Sequence, residues 1–151
     1  MSTTANDAPR AGAPWHFWLV AVVAVLWNSF GAYDYTMSQL QGDAYYHQMK
    51  MSDAQIAYMH AYPAWMVAVW AIGVWGAALG SVLLIVRSRY ATPVFTASLA
   101  GFVVSLVYTH LLSDGAKTMG QTGAIMELVI LVGCLFFVWY SRLMAKQGVL
   151  R

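Results

Sequence analysis

The sequence predicts an all-α protein: a four-transmembrane-helix antiparallel bundle with short interfacial helices in the first loop. Two observations predict it. Four long apolar stretches run roughly through 15–36, 62–86, 92–113 and 123–140, separated by polar or turn-rich segments. A hydrocarbon core about 30 Å thick takes on the order of 20 helical residues to cross, a length that the first three reach and the fourth approaches. Lipid offers backbone amides no partner, so a span must be a helix or part of a closed barrel. Barrel strands alternate apolar and polar residues, and Phe17–Trp27 and Leu128–Tyr140 do not. Composition agrees, at 60% hydrophobic and 9% charged residues with a mean hydropathy of +0.58. A water-soluble domain carries about a quarter charged residues.

Taken in order, residues 1–14 form a polar tail with Asp7 and Arg10. The apolar run from Phe17 continues past any small-x-small site into Trp27 and Asn28, so the first span reads as a retained signal anchor rather than a cleaved leader. The first loop, 37–61, is too long for a turn and too rich in aromatics and methionine for a solvated linker. Within it Ser52-x-x-Gln55 is a capping box, followed by Ile56 and Met59 on one face. One or two short helices are expected at the outer interface, with Tyr45, Tyr46 and Tyr58 at headgroup level. Pro63 and Pro93 fall in the first turns of the second and third spans, where a missing N–H is harmless. The 87–91 link forces an antiparallel hairpin, and the loop 114–122, with Gly115 and Gly120, makes the last two spans neighbours. Residues 143–151 are expected as a second cytoplasmic tail. Trp15, Trp18, Tyr62, Trp65, Trp139 and Tyr140 are expected in the aromatic belts.

Charge orients the bundle. Arg10, Arg87, Arg89, Arg142, Lys146 and Arg151 fall in the tails and the second loop, against Lys50 and Lys117 in the first and third loops. This bias predicts that both termini are cytoplasmic. Two small-residue stripes predict where helices touch: Gly73, Gly76, Ala77 and Gly80 on the second span, and Ala97, Gly101, Ser105 and Thr109 on the third. Such faces let backbones approach closely, and that gives membrane helices their packing energy. Cys134, the lone cysteine, lies mid-span, so an internal disulfide is excluded. Its place is that of a small hydrophobe in the packing.

Ionisable groups inside the spans are few and share one depth. Helical rise puts Asp34 about 13 Å, His110 about 11 Å and Glu127 about 7 Å to the outer side of the midplane. A charge near the centre of a span is costly, so Glu127 is expected to face the bundle, protonated or paired with His110 or a tyrosine hydroxyl. These residues, with Asn28 and Tyr108 below them, predict a substrate or proton pocket open to the outside. The bland alternative is a helix-end network that only fixes register. A second candidate is His47-x-Met49-x-Met51 in the first loop, whose imidazole and thioether ligands suit Cu(I). No phosphate-cradling glycine loop, Ser/His/Asp arrangement or basic stripe for nucleic acid is present. His16 has no partner histidine at its depth to ligate haem. The sequence therefore predicts no catalytic residue, no cofactor and no nucleic-acid partner.

Trp27-Asn28-x-x-Gly31-Ala32-x-Asp34-Tyr35, Tyr62-Pro63-Ala64-Trp65, Gly73-x-Trp75-Gly76-x-x-x-Gly80-Ser81 and Ser113-Asp114-Gly115 carry a resemblance across nearly the whole chain. In these motifs it resembles an uncharacterised family of small four-helix bacterial inner-membrane proteins, often labelled "sugar transporter". The resemblance implies residence in the inner membrane and transport of a small solute. A four-helix bundle is narrow, so transport implies a homo-oligomer with substrate between subunits. Trp65, Trp70 and Trp75 offer rings on which a sugar could stack, spread around the second span. The competing expectation is a non-catalytic accessory or assembly subunit of a larger membrane complex, suggested by short loops and glycine-rich packing faces.

Overall fold

The computed structural model describes residues 12–151. Most of the N-terminal tail expected at 1–14, with Asp7 and Arg10, lies outside the described residues. The chain forms α1 (Trp15–Gln41), two short helices α2 (Asp43–Gln48) and α3 (Asp53–His60), α4 (Ala64–Ile85) and α5 (Ala91–Val107). A π-helical turn, Tyr108–Leu112, continues α5, and α6 (Gly115–Lys146) completes the chain. Four helical stretches, 15–41, 64–85, 91–112 and 115–146, are long and apolar enough to cross a membrane. Their outward faces carry large apolar side chains, among them Leu26, Phe30, Leu79, Leu128 and Val132, each at least half exposed. This is a multi-pass membrane protein built as an all-α bundle.

Two helices run past their expected ends. The first continues five residues beyond Thr36, until Gly42 stops it at φ 53° with its N–H on the Ser38 carbonyl. The last begins at Gly115, so most of the expected third loop is helical. Only Gly120, at φ 64° and ψ −160°, breaks the helix there. Pro63 is the N-cap of α4 rather than a first-turn residue. The capping box forms as read: Ser52 Oγ accepts from Gln55 N–H, and Gln55 Oε1 accepts from Ser52 N–H at 2.9 Å.

The helices pack in chain order, α1 on α4, α4 on α5 and α5 on α6, whereas the α1 and α6 backbones stay apart and the two helices meet only through side chains. Small residues make the α4–α5 seam. A methyl at Gly76 would meet the Ser98 side chain at 3.3 Å, and one at Gly101 the Val69 carbonyl at 3.3 Å. Gly80 lies against the Phe95 ring, where an added carbon would fall 2.8 Å from two ring atoms. Ala97 is a correction to the expected stripe: it is exposed, and buried Ser98 holds the seam with Gly101. The contact face centres on Ser98, one residue and about 100° of helical rotation away. Ser98 also ties the pair, donating from Oγ to the Gly73 carbonyl at 2.5 Å.

The terminal end of the bundle, where α1 starts and α6 stops, is closed by a core that includes Phe17, Ala21, Leu84, Phe95, Phe137 and Met144. The C-terminal residues belong to it. Val149 is 2% and Leu150 5% exposed, so the end of the segment expected as a cytoplasmic tail, 143–151, packs into the bundle. Gly148, at φ 72°, turns the chain in a Schellman motif, with Val149 N–H on Met144 O and Gly148 N–H on Ala145 O. The α4 terminus repeats the motif with Arg87 at φ 60°. Arg151 N–H then donates to Arg87 O at 2.8 Å, and Arg89 N–H to Arg151 O at 3.0 Å.

Of the expected belt, Trp15, Trp18, Trp65 and Trp139 are exposed. Tyr140 is instead buried, its hydroxyl 2.8 Å from His16 Nδ1 across the α1–α6 gap. Tyr45 and Tyr46 are buried too, in a small cluster with Ile56, because α2 folds back onto α1 while α3 packs on the start of α6.

Candidate functional site

α1 presents Trp27, Asn28, Gly31 and Asp34 within about half of its circumference, since these positions follow the 3.6-residue period. That face looks into a cavity of about 470 Å³ to which all four long helices contribute. The cavity reaches from Met49, Met59 and Tyr62 near the looped end down to Ala77, Ser98 and Phe137. Its floor is the ring of Phe137, stacked on Phe95 with centroids 5.5 Å apart. The volume lies within the range of about 300–1,000 Å³ typical of small-molecule pockets.

Three polar sites are built on these walls. Deepest, Asn28 Nδ2 donates to Ser81 Oγ at 2.8 Å, linking α1 to α4. Higher, the Asp34 carboxylate accepts from the Tyr45 hydroxyl at 2.8 Å. The fold-back of α2 supplies that partner, and burial first, then Asp34, pushes the Tyr45 phenol up to about 12. On the opposite wall, His110 Nε2 lies 2.8 Å from Glu127 Oε2. The π-helical turn carries His110, and its wider ring re-aims the side chain from the register that α5 would have given it. The pair is half open: 45% of the His110 side chain and 24% of that of Glu127 are exposed.

A polar and aromatic lid lies over these groups. His60 Nε2 meets Asp43 Oδ1 at 2.6 Å, joining α3 to α2. The Tyr58 hydroxyl meets Ser113 Oγ at 2.8 Å, and Gly115 has no side chain where that phenol sits. Tyr58, Tyr62, Tyr108 and Trp65 then pack edge to face in sequence, at centroid separations of 5.2, 5.6 and 5.5 Å.

Of the five pocket residues expected from sequence, Asn28, Asp34 and Glu127 line one cavity, and His110 meets it through Glu127. Tyr108 stands aside in the aromatic row, outside the lining. The loop positions considered for copper go to different surroundings. His47 is exposed, Met49 lines the cavity, and Met51 packs on the Tyr45–Tyr46–Ile56 cluster. Among the described residues no group of three or more His, Cys, Asp or Glu side chains is placed to hold a metal. Of the three tryptophans of α4, Trp70 lines the cavity and packs edge-on to Tyr35, Trp65 joins the aromatic row, and Trp75 is exposed. Tyr45, Ser81, Ser98 and the cavity position of Cys134 escaped the sequence reading. Ser98 had a signal, since it falls on the same helical stripe as Gly101 and Ser105.

Fold and site together define a multi-pass membrane protein whose four long helices enclose a cavity with acidic groups near its looped end. Compared with known proteins, the chain matches no family model, no curated protein and no solved structure.

Proposed function

We propose that this chain is a bacterial inner-membrane protein that binds a small solute in the central cavity and acts as a transporter or permease component. The observation that carries the reading is the cavity itself: four walls from one chain, carboxylates toward one end and a stacked aromatic floor at the other. A site between the spans that is sealed at one end, here by the stacked aromatic floor, is part of the arrangement alternating access requires. Orientation follows from charge. Arg87, Arg89, Arg142, Lys146 and Arg151 gather at the terminal end, whereas Lys50 and Lys117 belong to the looped end. The positive-inside bias makes the terminal end cytoplasmic and turns the cavity toward the periplasm. The resemblance to the "sugar transporter" family points the same way on transport.

An accessory subunit needs no internal cavity, so the cavity favours the solute-binding reading. Because one chain supplies every wall, a second copy is not needed to build the site. The test is uptake into proteoliposomes from a panel of solutes, with and without a proton gradient. Wild-type protein takes up its solute, and Asp34→Asn and Glu127→Gln reduce that uptake at least tenfold. A well-folded reconstitution that moves none of the panel, under any gradient, overturns the proposal.

A further inference from the structure

The polar groups of the cavity are unevenly distributed, and their distribution points to a ligand class. In its lower half the hydroxyls already donate within the protein, and the Asn28 amide commits one N–H there. Ser98 Oγ donates to Gly73 O at 2.5 Å, Ser105 Oγ to Gly101 O at 3.2 Å, and Asn28 Nδ2 to Ser81 Oγ at 2.8 Å. The remaining surface there is aromatic and aliphatic, with Trp27, Val74, Ala77, Phe102 and Phe137 among the lining residues. A sugar carries a hydroxyl on nearly every carbon, and each one buried without a partner keeps its full desolvation cost. Those walls suit an apolar body instead.

The upper cavity is the reverse. Asp34 and Glu127 each engage one carboxylate oxygen, Oδ1 with Tyr45 and Oε2 with His110. Among the described residues the second oxygen of each makes no hydrogen bond, and no lysine or arginine lines the cavity. Two carboxylates beside tryptophan and tyrosine faces are suited to a cation, by charge and by attraction to the ring quadrupoles. The way in is also apolar. α1 and α6 meet near the terminal end through His16 and Tyr140, and at mid-height the Trp27 indole nitrogen lies by Gly133. Above that height Phe30 and Met126 line the cavity while being 58% and 47% exposed, so the α1–α6 gap opens sideways to the surroundings of the bundle. In a membrane those surroundings are acyl chains.

We infer that the cavity takes a membrane-dissolved amphiphilic amine, its ammonium head at Asp34 and Glu127 and its apolar body against Trp27, Trp70 and Phe102. The ligand enters between α1 and α6. This inference rests on the solute-binding reading and narrows its substrate class from any small solute, sugar included, to a lipophilic cation.

The test uses one apolar body with three heads. Full-length protein in lipid nanodiscs is dialysed to equilibrium against radiolabelled decylamine, decanol, decanoate or glucose, and retention by protein-free nanodiscs is subtracted. Decylamine is cationic at pH 7, as alkylammonium groups are. The expected order is decylamine at least tenfold tighter than decanol, with decanoate weaker again and glucose not retained. Asp34→Asn and Glu127→Gln each weaken decylamine about tenfold and leave decanol unchanged, while Cys134→Phe, which places a ring in the cavity, lowers specific retention of amine and alcohol alike. If a variant fails to fold, the wild-type ranking alone decides. Equal retention of amine, alcohol and carboxylate overturns the cationic class. Glucose retained and lost in Cys134→Phe, with no amine bound, overturns the inference and leaves the solute-binding reading standing. No probe retained by wild-type protein overturns both.

Discussion

Replacing Gly80 with alanine tests the closed end of the cavity, because a single methyl there has a defined obstacle. The added carbon would lie 2.8 Å from Cδ1 and Cε1 of Phe95 and 3.0 Å from Cγ. Cγ is close to the root of the side chain, so a small rotation of the ring tip does not relieve the clash. Nor is there room to retreat, since Phe95 is 3% exposed and stacked on Phe137. Overpacking of this kind costs about 1–3 kcal/mol. Glycine-to-alanine replacement in a helix also gains about 1 kcal/mol of propensity, which would mask part of that cost. Gly31→Ala supplies the matched reference: it is also helical and interior, and nothing lies within 4 Å of its added carbon. The difference between the two variants cancels most of the propensity term, so Gly80→Ala should be about 1–3 kcal/mol less stable than Gly31→Ala. Equilibrium unfolding of the purified protein in mixed detergent and dodecyl sulfate micelles measures it. Phe95→Leu in the Gly80→Ala background should recover part of the loss, because contacting sites are not additive. A Gly80→Ala protein as stable as Gly31→Ala would refute the packing argument for this seam.

Further outcomes follow from other contacts. Asn28→Ala should cost about 0.6–1.7 kcal/mol, the range of interhelical hydrogen bonds in membrane bundles. Its cycle with Ser81→Ala should be non-additive, and simple additivity would show that the 2.8 Å bond contributes nothing. Ser52→Ala removes the acceptor for Gln55 N–H and should destabilise α3 by about 1 kcal/mol, seen as roughly fivefold faster amide exchange at Gln55 and Ile56. Unchanged exchange would argue against a capping role. Tyr45 is held from the ordinary value of 10 up to about 12. The stability linked to its neutral phenol is therefore full below pH 10 and is lost as pH rises through about 12. Ultraviolet titrations of the wild type and of Tyr45→Phe should differ by one late-ionising phenol; loss of an ordinary phenol instead would mean that the loop does not fold over Asp34.

The spans were legible because their signal is length and hydropathy, both additive along the chain. Their ends were less so. Met37–Gln41 continues α1 because helix formers continue until Gly42, a stop recognised by backbone angle rather than by polarity. Gly115 and Gly120 look alike in sequence, yet one opens α6 and the other breaks it. The shared depth of Asp34, His110 and Glu127 was readable because helical rise is arithmetic. Rotation was not, where the arithmetic fails: the π-helical turn resets the register at Tyr108–Leu112, which brings His110 to Glu127 and leaves Tyr108 in the aromatic row. Tyr45 was invisible as a partner of Asp34 because the pairing depends on how a loop folds back, and no periodicity records that. The Ala97–Ser98 distinction lay within reach, given the drift that strict four-residue spacing accumulates against a 3.6-residue turn.

The hold of Arg87 and Arg89 on the last residues bears on how the protein is assembled. A ribosome delivers the α4–α5 hairpin well before residues 149–151, so the turn at Arg87 enters the membrane with its later partners still unmade. Only when α6 has been threaded do Arg151 and the Val149 carbonyl reach that turn and fasten it. Residues 149–151 thus act as a closing stitch on a turn that was synthesised long before them.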